Sequence, residues 1–308
     1  MKNFRLYLGN KCNMNCSYCY ETHDKKQEIS KEILDKVISY CNNSNEDIMI
    51  IFYGGEPTLY MDKIEYVIQN IYNKQIFYSI FTNGTHMKEL TELEKKYNIH
   101  IQKILSNKTP VDVYSYEDYI IDRYNLILTP ETLLYMDNKY LRYLNKSQHI
   151  KKVLIALVIE SDWDKGDKTI IKDRLNAINN IYLLNKLKFN FLFLNSYIGK
   201  NKFVNCCLKN TLSISANGDV VLCHRYCHSG VPDDKGLIGN ILNEDINILF
   251  KKINTIACEI NENKECYYFS HQNIDRNELN NILSKTNIMY NPKTTQLYRT
   301  MARCGCAG

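Results

Sequence analysis

Residues 47–60, "DIMIIFYGGEPTLY", decide the fold. Residues 48–53 are a continuous apolar run that stops at Gly54-Gly55. Such a run, bounded by turn residues, reads as a strand buried on both faces of a parallel sheet. Helical segments flank it. In "SKEILDKVISYC" (30–41), Ser30 is the N-cap, and Ile33, Leu34, Val37, Ile38 and Cys41 share one face. Cys41 is therefore read as a core residue. "MDKIEYVIQNIY" (61–72) is the helix that follows. Further out, "NFRLYLG" (3–9) is a strand that runs into a cysteine loop, and "IFYSIFTNG" (76–84) is a strand that ends in Asn83-Gly84.

After a less regular stretch, "YNLILTPETLLYMDNKYLRYL" (124–144) reads as a strand followed by one helix, with Thr129 as N-cap and Pro130 at the first helical position. "KKVLIALVIESDW" (151–163) is a further strand, and "DKTIIKDRLNAINNIYLL" (167–184) the helix after it. Repeated β–α units imply a parallel sheet with helical crossovers. About six units in roughly 200 residues predict an α/β fold, a partial (β/α)6 barrel, because a full eightfold barrel takes about 250. Ligands bind such sheets at the C-terminal ends of the strands. The cysteine loop, "GGEP", "TNG" and "TPE" all fall there.

The chain has 308 residues and a net charge of +5, from 39 basic and 34 acidic residues spread along it. That balance reads as a solvated surface, with no nucleic-acid partner. No run approaches the roughly 18 apolar residues that span a bilayer, and no signal peptide opens the chain. The protein is read as cytoplasmic, with no membrane association and with reduced thiols. Twelve cysteines then call for metal or cluster ligation. None lies between 42 and 205, and eight fill the last third. We place a boundary near residue 200, giving a domain at 1–200 and a small cysteine-rich domain at 201–308.

Cys12, Cys16 and Cys19 form C-x3-C-x2-C on one loop. A structural zinc site wants four ligands, and no fourth Cys or His follows at finger spacing. Three thiolates on a [4Fe–4S] cluster would leave one iron open to a ligand. C-x3-C-x2-C with Tyr18 before the last cysteine, followed by Gly54-Gly55-Glu56-Pro57 at a strand end, resembles the radical S-adenosylmethionine (SAM) enzymes. The resemblance covers most of the chain. It implies that Cys12, Cys16 and Cys19 hold a [4Fe–4S] cluster and that SAM chelates the open iron. It further implies reductive cleavage of SAM to a 5′-deoxyadenosyl radical that abstracts a substrate hydrogen. The Gly54 and Gly55 carbonyls would accept from the SAM ammonium, with the Glu56 carboxylate near that cation. Thr82 and Asn83 match a strand-end motif used near SAM. Ser106 stands where a ribose contact is expected, although the family's Ser-x-Asp-Gly pattern is absent.

In the last third, "ISANGDVVLC" (214–223) reads as a β-hairpin with an Asn217-Gly218 turn, which would bring Cys207 and Cys223 together. Cys207-x10-Gly218-x4-Cys223, followed by "GLIGNI" (236–241), resembles the SPASM or shorter twitch extension of peptide-modifying radical SAM enzymes. That extension implies one or two auxiliary [4Fe–4S] clusters. Cys207 and Cys223 are the first ligand candidates, and Cys258, Cys266, Cys304 and Cys306 compete for the remaining places. The full SPASM spacing is not kept: Ser270 stands where a cysteine is expected. Cys206 and Cys227 are ligands, redox-active thiols or bystanders, and zinc is the alternative metal. "CHRY" (223–226) resembles enzymes that crosslink cysteine thiols to carbon in peptides. His224 is a base near neutral pH or a hydrogen-bonding support for the cluster.

The expected function is a radical SAM peptide maturase that forms a thioether crosslink in a ribosomally made precursor peptide. The alternatives are epimerisation, carbon–carbon crosslinking, anaerobic sulfatase or other protein maturation, and a non-enzymatic iron–sulfur or zinc protein. The resemblance implies anaerobic work and an electron donor such as flavodoxin or ferredoxin. No leader-binding domain precedes the catalytic loop, so leader recognition is expected from a separate protein or from direct docking on the barrel.

Overall fold

The computed structural model describes residues 1–17, 19, 21, 27–106, 115–157, 167–184, 188–191, 209–224, 226–227 and 236–263. The chain forms two compact units. One comprises residues 1–104 and 208–259, the other residues 105–207 and 260–308.

In the first unit, β1 (Lys2–Tyr7), β2 (Ile48–Tyr53), β3 (Ile76–Thr82) and the start of β4 (Ile101–Ser106), whose last two residues belong to the second unit, follow one another across the sheet. β1 pairs β2 in parallel with Leu6 opposite Phe52, and β2 pairs β3 in parallel with Phe52 opposite Ile80. Helices α1 (Lys31–Asn42), α2 (Met61–Asn70) and α3 (Met87–Tyr97) make the crossovers. Ser30 caps α1 as expected, its side chain accepting from the Ile33 N–H, and Ile33, Leu34, Val37, Ile38 and Cys41 are its buried face. Phe4 on β1 meets Tyr40 of α1 and Phe250 of α7 (Ile246–Asn263) edge-on, each at 5.5 Å between ring centroids. Burial of each large apolar side chain here stabilises the unit by roughly 1.5–3 kcal/mol.

The same sheet continues on the other side of β1. β8 (Thr211–Ile214) pairs β1 in parallel, with Arg5 opposite Ser213, and then turns through Gly218 (φ +84°) into antiparallel β9 (Asp219–Val221). β10 (Leu237–Asn240), from the "GLIGNI" segment, adds antiparallel to β9. The hairpin expected at 214–223 is thus an extension of the N-terminal sheet.

The second unit contains β5 (Arg123–Leu128), β6 (Val153–Leu157) and β7 (Phe189–Phe191), which pair in parallel in that order. Thr129 caps α4 (Pro130–Tyr135) through a reciprocal pair with Thr132. The single helix expected after Thr129 is two: the chain breaks at Met136, and Asp137 caps α5 (Asn138–Lys146) by accepting from the Tyr140 N–H at 2.7 Å. Asp competes for a cap more readily than it sits inside a helix, which is why the break falls there. α6 (Lys168–Leu184) buries Ile171, Leu175 and Ile178.

The stretch read as less regular contains α3 and β4. α3 buries only Met87, Leu90 and Leu93 among mostly charged and polar residues and has no side-chain N-cap, so it carries little apolar signal and no start signal. It ends at Asn98 in the left-handed region (φ 50°), a conformation asparagine tolerates. β4 carries Lys103 inside, only 4% exposed, held by Glu94 of α3 at 2.6 Å. A buried lysine obscures an apolar strand pattern.

Candidate active site

Three strand ends of the first unit build the site. β1 leads into Leu8, Gly9 and Asn10, then into the cysteine loop. The returning segment lies antiparallel to this exit: the Ile29 N–H donates to the Leu8 carbonyl at 2.9 Å, and the Gln27 N–H donates to Asn10 Oδ1 at 3.0 Å. The cysteine loop therefore has a closed stem.

The Gly-Gly-Glu-Pro turn at the end of β2 is fastened to that stem by backbone bonds. The Gly55 N–H donates to the Gly9 carbonyl at 2.9 Å, and the Glu56 N–H donates to the Lys11 carbonyl at 2.7 Å. Gly54 has φ +141°, and a Cβ there would lie 2.3 Å from the Gly9 oxygen. A Cβ on Gly55 would lie 2.4 Å from the Lys11 oxygen. Only glycines allow the two strand ends to approach this closely. Pro57 opens a 3-10 turn (Pro57–Tyr60) that leads into α2.

Glu56 is fully buried. Its Oε1 accepts from the Thr58 N–H (3.1 Å), the Thr58 hydroxyl (2.6 Å) and the Thr82 hydroxyl (2.8 Å), and its Oε2 accepts from the Asn83 N–H (2.6 Å). The carboxylate expected beside the SAM cation is thus turned inward, where it ties β2 to β3. Asn83 in turn donates from Nδ2 to Asn13 Oδ1 of the cysteine loop at 2.6 Å. The structure brings Gly54, Gly55, Glu56, Thr82 and Asn83 together against that loop. Ser106 lies in the second unit, where its hydroxyl accepts from Asn125 Nδ2 at 3.3 Å.

Cys12 and Cys16 are half-buried, and Cys19 is exposed, with its N–H donating to the Cys16 carbonyl at 3.0 Å. Partial burial first, with the charges of Glu21, Cys16 and Cys12, raises the Cys19 thiol above its usual range, and a backbone hydrogen bond at Glu21 opposes this. Among the described residues no three His, Cys, Asp or Glu side chains converge on one metal ion. A cubane does not require that, because each of its irons takes a separate thiolate. Tyr18 and His23 lie outside the described residues.

Two residues of this site went unread in the sequence. Gly9 (φ +154°) leaves room for Tyr60: a Cβ at Gly9 would lie 2.2 Å from the phenol oxygen. Burial first, with the charges of Glu28, Cys12 and Glu21, raises the Tyr60 pKa, and the Lys11 N–H opposes this. Gly9 follows an apolar strand in the sequence, so a strand-end turn was a readable signal. Tyr60 looked like one more aromatic residue.

On the other side of β1, His224 Nδ1 lies 3.2 Å from Arg5 Nη1 and 3.7 Å from Cys223 Sγ. Arginine can only donate, so Nδ1 accepts and the His224 proton sits on Nε2. With its Nδ1 lone pair engaged by Arg5, His224 could accept from a protonated Cys223 thiol but could not donate to a Cys223 thiolate through that atom. Cys227 is buried, and burial pushes its thiol up to about 12. Cys258 is exposed on α7. Cys206, Cys207, Cys266, Ser270, Cys304 and Cys306 lie outside the described residues.

A parallel α/β sheet carries a glycine turn and a three-cysteine loop at the carboxyl ends of its strands, the place where α/β enzymes hold their ligands. The chain belongs to the radical SAM superfamily, whose family model matches residues 6–157. It is 29% identical over 288 residues to the uncharacterized protein MJ0907 of Methanocaldococcus jannaschii, covering 85% of this chain and 96% of that protein. It is 30% identical over 165 residues to the radical SAM cyclopropyl synthase TigE of Paramaledivibacter caminithermalis, covering 46% of this chain and 34% of that enzyme. The structure of native anSMEcpe with bound AdoMet and the Kp18Cys peptide superposes with a TM-score of 0.66 at 16% identity, over 97% of this chain and 99% of that one. That likeness identifies the fold as the radical SAM partial barrel. The family implies a [4Fe–4S] cluster and SAM, and the donor set and glycine cradle fit both. Among the described residues no helix is long and apolar enough to cross a membrane.

Proposed function

We propose that this enzyme is a peptide maturase working under anaerobic conditions in the cytoplasm, and that it forms a thioether crosslink in a ribosomally made precursor peptide. The observation that carries the proposal is the joint between the Gly54-Gly55 turn and the backbone of Gly9 and Lys11 that leads into the cysteine loop. When bound, the cluster and SAM together supply a 5′-deoxyadenosyl radical that takes a hydrogen atom from the substrate. Cys12, Cys16 and Cys19 would hold the cluster, with Tyr18 beside them. The Gly54 and Gly55 carbonyls would orient the SAM ammonium, and Glu56, Thr82 and Asn83 would keep that cradle rigid. Ser106 is assigned to the SAM ribose.

A peptide substrate is favoured because anSMEcpe, which shares the fold, has been crystallised with AdoMet and a peptide. The "CHRY" segment favours the thioether. In this proposal residues 1–200 generate the radical and residues 201–308 form a SPASM/twitch-like domain with one auxiliary [4Fe–4S] cluster. Cys207 and Cys223 are its first ligands, and Cys258, Cys266, Cys304 and Cys306 are candidates for the others. His224 acts as a base or as a hydrogen-bonding support of the cluster's surroundings through its Nε2 N–H. A flavodoxin or ferredoxin supplies electrons, and a separate protein supplies leader recognition. The test is anaerobic incubation with SAM, reductant and a cysteine-containing precursor peptide encoded beside this chain. Loss of two hydrogens from the peptide, with one cysteine thiol no longer alkylatable, is the expected result. A peptide of unchanged mass and inverted stereochemistry would instead establish an epimerase.

A further inference from the structure

Lys11 immediately precedes Cys12, and the peptide groups on both sides of its Cα are held by one short segment. Its carbonyl accepts from the Glu56 N–H at 2.7 Å, and its N–H donates to the Tyr60 hydroxyl at 2.9 Å. Tyr60 is 1% exposed. Its hydroxyl also donates to the Gln27 carbonyl at 3.5 Å, on the returning side of the cysteine-loop stem. One phenol thus bridges both sides of the stem, in space that only a glycine at position 9 leaves free. The surrounding charges reinforce the joint, because Glu28 pairs with Lys63 at 2.9 Å and with Lys11 at 3.6 Å.

An N–H that points at a cluster thiolate stabilises the reduced, more negative state, and hydrogen bonds of this kind are among the determinants of cluster potential. In this chain the N–H of the residue before the first ligand is engaged by a tyrosine instead. We propose that Tyr60 is a positioning residue that fixes the backbone entering Cys12 at the Lys11 N–H, keeps that N–H committed away from the Cys12 thiolate, and so holds the SAM-binding cluster at a low potential. This rests on the reading that Cys12, Cys16 and Cys19 ligate that cluster. Tyr60→Phe removes the oxygen and leaves the packed ring. The freed N–H is then available to the thiolate.

The test is an EPR-monitored redox titration of the reconstituted protein, comparing wild type with Tyr60→Phe. Tyr66→Phe is the control, because Tyr66 bonds Asp35 at the surface, on α1. The expected result is a less negative midpoint potential for Tyr60→Phe and an altered EPR signal on SAM addition, at unchanged iron content. Tyr66→Phe should match wild type. Identical potentials and signals in wild type and Tyr60→Phe would overturn the proposal, even if Tyr60→Phe unfolds more easily. If Tyr60→Phe does not fold, hydrogen exchange in the wild-type holoenzyme decides. A slowly exchanging Lys11 amide supports the clamp, and one that exchanges as in an open loop overturns it. The underlying reading fails separately, if wild type binds no more iron than Cys12→Ala/Cys16→Ala/Cys19→Ala.

Discussion

Glu56 and Cys41 show how a single buried group shapes this protein. Glu56 holds four donors from Thr58, Thr82 and Asn83 on two oxygens. Glu56→Gln replaces one of those oxygens with an amide NH2, which sets donor against donor. Leaving buried donors unmatched costs roughly 1–3 kcal/mol. Urea denaturation of Glu56→Gln should show a loss of that order, and equilibrium titration should show weaker SAM binding, because Asn83 also reaches Asn13 in the cysteine loop. Unchanged stability would mean that the carboxylate does not tie the strand ends. Cys41 tests the core. Burial raises its thiol from the usual 9.0 to about 12. The folded state therefore keeps a proton that the unfolded chain releases above pH 9. The contribution to stability is complete below pH 9 and is lost as pH rises from 9 toward 12. Over that window the stability advantage of wild type over Cys41→Ala should shrink; a constant difference would contradict the buried, neutral thiol.

At the scale of elements, the joint between β1 and β2 is the decisive contact. Gly54→Ala adds backbone strain of about 1–3 kcal/mol at its positive φ, besides a Cβ that overlaps the Gly9 carbonyl. The expected outcome is a lower unfolding midpoint and loss of iron bound by the first cysteine triplet. A variant with normal iron content would refute the tight approach. Much of this element order was readable from residues alone. Ser30, Thr129-Pro130 and Asn217-Gly218 are local signals, and the caps and the turn they imply are present. What could not be read depends on tertiary partners. α3 has few apolar residues and no capping side chain, the β4 pattern is interrupted by Lys103, whose partner Glu94 lies on another element, and Asp137 acts as a cap only because the chain breaks before it. At the site, Gly54-Gly55 and the three cysteines were plain. The inward turn of Glu56 and the role of Tyr60 were not, since both depend on which side of a strand end faces the stem.

On the scale of the whole molecule, the cysteine distribution suggested a boundary near residue 200, yet β8, β9 and β10 extend the N-terminal sheet through β8 pairing with β1. His224 and Cys223 thereby come to lie beside Arg5 on the same strand that feeds the cysteine loop. Removing Cys12, Cys16 and Cys19 together should abolish SAM cleavage but leave iron bound elsewhere. Iron analysis of that variant reads the auxiliary cluster directly, and less than about one iron per chain would remove it from the proposal, since a [4Fe–4S] cluster would leave about four. The most direct test is turnover of SAM itself. Protein reconstituted anaerobically and supplied with SAM and dithionite should release 5′-deoxyadenosine, and the triple cysteine variant should release none. A fully clustered wild-type sample that yields no 5′-deoxyadenosine would contradict radical SAM chemistry at this site.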